Sequence, residues 1–119
     1  MANTFKVVTF AAEPASAGTP YKMYTCAGST TTVVLGLILT NIHSSAVTAE
    51  VELVSDTSGG GRGATNGTSF LAKDVSIPAG SSLELLSGGK VVLEATDEIK
   101  IDCSVADKLS GTLSIMEIT

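Results

Sequence analysis

The chain has 119 residues, 44% of them hydrophobic and 16% charged, with a formal net charge of −5. That length holds one domain with one core, and the composition excludes disorder, which needs low hydrophobicity and high charge. Seven scattered Lys and Arg against twelve Asp and Glu form no cationic patch for nucleic acid or for an anionic membrane surface.

Taken in chain order, strand-like runs alternate with turn residues. The first two lie at Thr4–Phe10 and Thr19–Thr25; Lys6 and Glu13 interrupt any signal-peptide core, so folding in a cytoplasm is expected. The third, Thr31–Ile42, is apolar on both parities, with Val33, Leu35, Leu37 and Leu39 on one and Val34, Ile38 and Ile42 on the other. Its apolar stretch Val33–Leu39 is far short of the roughly 20 residues that span a bilayer. A two-layer sandwich covers one face of each sheet. The second face of this strand is therefore shielded either by the N-terminal segment or a long loop, or by another subunit. In the fourth run, Ala46–Ser55, apolar Val47, Ala49, Val51 and Leu53 alternate with Thr48, Glu50 and Glu52, the pattern of a half-buried antiparallel strand.

Ser55–Gly67 contains five glycines and no apolar anchor, and reads as a mobile exposed loop able to reach a neighbour. Ser69–Ile77 follows, then Pro78-Ala79-Gly80, which suits a reverse turn. Leu83–Leu86 and Lys90–Glu94 flank Ser87-Gly88-Gly89, the composition of a tight hairpin. A reversal around Thr96-Asp97 leads into Glu98–Val105, where Ile99, Ile101, Cys103 and Val105 oppose Lys100, Asp102 and Ser104. The last run, Thr112–Ile118, again has two apolar parities, Leu113 and Ile115 against Met116 and Ile118. Runs of this kind, with no helical period, predict one all-β domain over residues 1–119, an antiparallel β-sandwich that is jelly-roll-like.

Residues that could carry chemistry are few. The one histidine, His43, sits in a turn-like stretch, and Ser87-Gly88-Gly89-Lys90 lacks the helix that a Ser-x-x-Lys nucleophile needs. The Gly59–Gly63 segment lacks the Lys-Ser/Thr and following helix of a phosphate cradle. Asp97, Glu98 and Asp102 are close in sequence, but Asp102 points away on its strand, whereas calcium wants six to eight converging oxygens. Cys26 and Cys103 have no metal-ligand spacing; Cys103 reads as a buried thiol, and a disulfide between the two requires neighbouring strands. No enzyme activity, metal or cofactor is expected. A carbohydrate-binding module would need an aromatic platform, for which only Tyr21 and Tyr24 stand near each other.

Thr31-Thr32-Val33-Val34-Leu35-Gly36-Leu37 with Thr40-Asn41-Ile42, then Asp74–Leu85, Gly88–Glu94 and Leu113–Ile118, resemble a family of small virion structural proteins of tailed phages, common among phages of cyanobacteria. The resemblance follows the order of elements over most of the chain and departs from it at Thr96, where a glycine is expected in the turn. It implies a virion component: a capsid decoration or cement protein or, alternatively, a neck or tail protein. It carries no catalytic residues. The expectation is a homo-oligomer, a trimer first, contacting the major capsid protein or other virion proteins after assembly in the host cytoplasm. Val34, Ile38, Ile42, Met116 and Ile118 are the candidate contact residues.

Overall fold

The structure, a computed structural model, describes residues 2–58, 61–86 and 89–119. The described residues form nine strands: β1 (Asn3–Glu13), β2 (Tyr21–Thr25), β3 (Thr31–Asn41), β4 (Val47–Val54), β5 (Ser69–Ile77), β6 (Ser82–Leu85), β7 (Val91–Leu93), β8 (Glu98–Cys103) and β9 (Leu109–Ile118). Every run predicted from sequence is a strand, and every pairing is antiparallel. One sheet has the order β1-β9-β3-β6, with β7 also on β3; the other is β2-β8-β4-β5. With β6 and β7 counted as one interrupted strand, this is the two-sheet, eight-strand order of a jelly roll.

Thr40 pairs with Ser82 and Leu37 with Leu85, while Val34 pairs with Val91 and Thr32 with Leu93. β6 and β7 therefore lie end to end along β3, which corrects the hairpin reading of the Ser87-Gly88-Gly89 segment. Ser87 and Gly88 themselves lie outside the described residues. The turn after β5 matches its chemistry. Ser81 N–H donates to the Pro78 carbonyl at 3.0 Å, and Gly80 has the positive φ of 72° that such a turn requires.

Between the sheets lie Val34, Leu37, Leu39, Leu93, Leu109, Leu113 and Ile115 from one side and Val47, Ala49, Val51, Ile77, Ile99, Ile101 and Cys103 from the other. The alternation read in β4 and β8 is thus the core face of each strand. Phe10 lies over Gly111, where an added Cβ would fall 2.3 Å from the ring, and meets Tyr21 edge-on at 5.2 Å between centroids. Asn41 is fully buried; its amide donates to the Ser45 and Ile77 carbonyls at 2.9 Å each, and its Oδ1 accepts the His43 N–H at 2.7 Å. It ties the end of β3 to the start of β4 and the end of β5.

The Ser55–Gly67 connection is better held than its glycines predict. Asn66 N–H donates to the Thr57 carbonyl at 2.7 Å, its side chain donates to Ser55 and Thr57, and Thr57 Oγ1 donates to Glu94 Oε2 at 2.6 Å. The neck of the loop is closed on itself and fastened to the end of β7; Gly59 and Gly60 lie outside the described residues.

Candidate interaction face

Cross-strand partners share a face of a sheet, so the registers determine what each outer surface shows. On the β2-β8-β4-β5 sheet the outward positions include Lys22, Glu98, Lys100, Asp102, Glu50, Glu52 and Lys73. Ion pairs join its strands, Lys22–Glu98 at 3.0 Å and Lys73–Glu50 at 2.6 Å, and Lys100–Glu98 at 3.9 Å runs along β8. Such exposed pairs are worth at most about 1 kcal/mol each. They mark a charged surface, on which the exposed ring of Phe70 pairs with Glu52 and lies under the Lys73 ammonium at 4.8 Å.

The other sheet is different. Phe5 pairs with Met116, Met116 with Val33, and Val33 with Val92, so one apolar row crosses β1, β9, β3 and β7. Val7 and Ile118 flank it. Phe5 is 71% exposed, Val7 65% and Val92 55%. Next come the hydroxyl-rich rows Thr9–Thr112–Ile38–Glu84 and Ser110–Thr40–Ser82. Glu84 is the one ionisable side chain that the registers place on this face among the described strand residues. An apolar row exposed at Phe5, Val7 and Val92, next to an almost uncharged surface, makes this face the candidate for contact.

The candidate contact residues divide accordingly. Met116 and Ile118 lie half-buried on this face, Ile38 is exposed on it, and Ile42 is exposed one residue beyond β3. Val34 is fully buried in the core, which removes it from any outer contact. The cause is a break in register against β9 between Val34 and Gly36, with Leu35 as the extra residue. Before the bulge Thr32 and Val34 point inward; after it Leu37, Leu39 and Asn41 do. The parity assigned to Val33 and Leu35 is corrected with it: Val33 faces outward with Met116. Sequence reading missed Phe5, Val7, Val33 and Val92. The glycine at 36 was the available signal, since an isolated glycine in a strand often marks a bulge.

Tyr21 and Tyr24 make no exposed platform. They pair with buried Ile101 and Ile99 and turn into the sandwich. The Tyr24 hydroxyl donates to Glu117 Oε2 at 2.6 Å and bonds Thr32 Oγ1 at 2.8 Å, while Lys6 reaches Glu117 Oε1 at 2.7 Å. Burial, then the bond to Glu117, pushes the Tyr24 phenol up to about 12. Lys6, then Tyr24, holds Glu117 below the usual carboxylate range. This cluster joins β1, β2, β3 and β9 at one end of the sandwich. Cys26 and Cys103 are both buried and free. Among the described residues no group of three or more His, Cys, Asp or Glu is placed to hold a metal. Asp97 is buried beside a hollow lined by Leu53, Ser55, Asn66, Val92 and Glu94; its Oδ2 accepts the Glu94 N–H at 2.9 Å.

No family model matches the chain, and no curated protein sequence matches it. Among solved structures, a chain from the structure of infectious bursal disease virus, Gx strain, superposes with a TM-score of 0.53 at 14% identity. The alignment covers 96% of this chain and 32% of that one, so this chain spans about a third of the viral chain's length. The likeness extends to the fold of almost the whole sandwich.

Proposed function

We propose that this chain is a structural subunit of a virus particle, a capsid decoration or cement protein of a tailed phage. The observation that carries the reading is the unequal pair of outer faces on a jelly roll: one charged and cross-linked by ion pairs, one presenting Phe5, Met116, Val33 and Val92 in a row. Its likeness in fold to a chain of a virus structure and its resemblance to small phage virion proteins both support it. The work is mechanical. The apolar face packs against copies of the chain, as a trimer, and against the shell, while the acidic ion-paired sheet faces water. Apolar area removed from water contributes about 25 cal/mol per Å², and a shell protein present in many copies multiplies that gain across the particle.

The test is stoichiometric. Purified virions should contain this chain at hundreds of copies, in a fixed ratio to the major capsid protein, measured by quantitative mass spectrometry. A dozen copies would move it to the neck or tail, the second structural reading, which the resemblance equally supports. Absence from intact virions would end both.

A further inference from the structure

The sandwich has four lateral edges, and three carry a feature that resists the addition of another strand. In the charged sheet, β2 is five residues long and breaks register between Lys22 and Tyr24. At the other edge of that sheet, β5 breaks register twice against β4 and holds Asp74 at φ 50°. The far edge of the apolar sheet is divided into β6 and β7, of four and three residues. Short, bulged and interrupted edges are poor templates for pairing.

β1 has none of these features where it matters. Its ladder with β9 runs unbroken from Asn3–Ile118 to Phe10–Gly111, and the first irregularity falls beyond Phe10. Among the described residues β9 is its only ladder partner. The opposite row of backbone N–H and C=O groups therefore has no strand beside it. The segment contains no proline, and its one charge, Lys6, is drawn back over its own sheet by Glu117. Lysine is a common guard of exposed edges, and here it is otherwise engaged.

We propose that β1 pairs antiparallel with β1 of a second copy across a two-fold axis, joining two apolar sheets into one continuous sheet. Charge and register identify the occupant. At a net charge of −5, copies repel one another least where carboxylates are absent, and Asn3–Ala12 contains none. Opposed residues must share a face, which limits the axis to a residue position. An axis at Val7 keeps Thr4–Phe10 paired throughout, with Val7 opposite Val7 of the second copy, Phe5 opposite Thr9 and Lys6 opposite Val8. An axis at Lys6 opposes two ammonium groups. An axis at Phe5 shortens the ladder to Asn3–Val7, and one at Val8 or Thr9 runs into the irregularity after Phe10. The pairing rests on the self-assembly proposed above, and adds a two-fold edge contact between the assembled units.

Cysteine cross-linking of the full chain tests it, with wild type as the control for Cys26 and Cys103. Val7→Cys should give a disulfide-linked dimer on a non-reducing denaturing gel. Phe5→Cys and Thr9→Cys should each stay monomeric alone and link when mixed. Val7→Lys, at an exposed position, should keep the wild-type thermal midpoint and lose the two-fold contact in solution. Failure of Val7→Cys to link, equal linking by Thr9→Cys alone, or unchanged association of Val7→Lys would overturn the pairing. These results are read on the isolated chain, so they stand or fall separately from its presence in virions.

Discussion

Thr96 occupies a backbone position that suits glycine. Its φ is +75°, in the turn where Asp97 N–H donates to the Glu94 carbonyl at 3.0 Å, and its own N–H donates to the Cys26 carbonyl at 2.9 Å. A side chain in the left-handed region costs about 1–2 kcal/mol, and a β-branched one is especially out of place. Thr96→Gly should therefore raise unfolding free energy by about 1 kcal/mol in urea denaturation; a loss would show that the threonine side chain stabilises the turn. Tyr24 makes a prediction in pH. Its phenol ionises near 10 when unfolded and at about 12 in the fold, so its contribution is complete below pH 10 and is lost as pH rises towards 12. Tyr24→Phe should flatten the alkaline fall in thermal midpoint over that window. Glu117, held low by Lys6 and Tyr24, works at the other end: its contribution is present above the ordinary glutamate pKa and is lost as pH falls through the lowered folded value. Glu117→Gln should reduce acid sensitivity there. Asn41→Ala removes a buried amide and leaves the Ser45 and Ile77 carbonyls without that donor, at about 1–3 kcal/mol for each group left unsatisfied.

At the scale of elements, β3 decides how the molecule presents itself. The bulge at Leu35 exchanges the two parities midway along the strand, so Val33 and Val34 have opposite fates. Val34→Asp should destabilise the protein by more than about 3 kcal/mol, because an unpaired charge would sit in the core. Val33→Asp should leave the thermal midpoint within a few degrees of wild type while weakening association. Equal destabilisation by both would contradict the bulge. The existence of the strands was legible in the sequence because period-two alternation and turn residues are local. Val47 to Leu53 and Ile99 to Cys103 show their inward faces directly. What stayed hidden depends on partners. β6 and β7 look like the arms of a hairpin until β3 is seen to pair with both, and the row from Phe5 to Val92 exists only once four strands far apart in sequence are placed side by side. Met116, Ile118 and Ile38 were recognisable as surplus apolar residues, but their neighbours on the face were not.

At the scale of the whole molecule, the two sheets divide the labour. Both bury their inner faces in one core, and that accounts for the fold. Their outer faces differ in a way that folding of one chain does not require: ion pairs over β2, β8, β4 and β5, and an apolar band over β1, β9, β3 and β7. A monomer gains nothing from leaving Phe5, Val7 and Val92 in water, whereas an assembled subunit gains by covering them. Salt, which screens exposed ion pairs, should therefore weaken association little, and charge placed on the apolar band should weaken it strongly.

The most direct measurement is the molar mass of the purified chain by light scattering, for wild type and for Phe5→Asp/Val92→Asp. Wild type should be an oligomer and the double variant a folded monomer, with similar thermal midpoints. A wild-type chain that stays monomeric at high concentration, or a double variant that associates just as well, would contradict it.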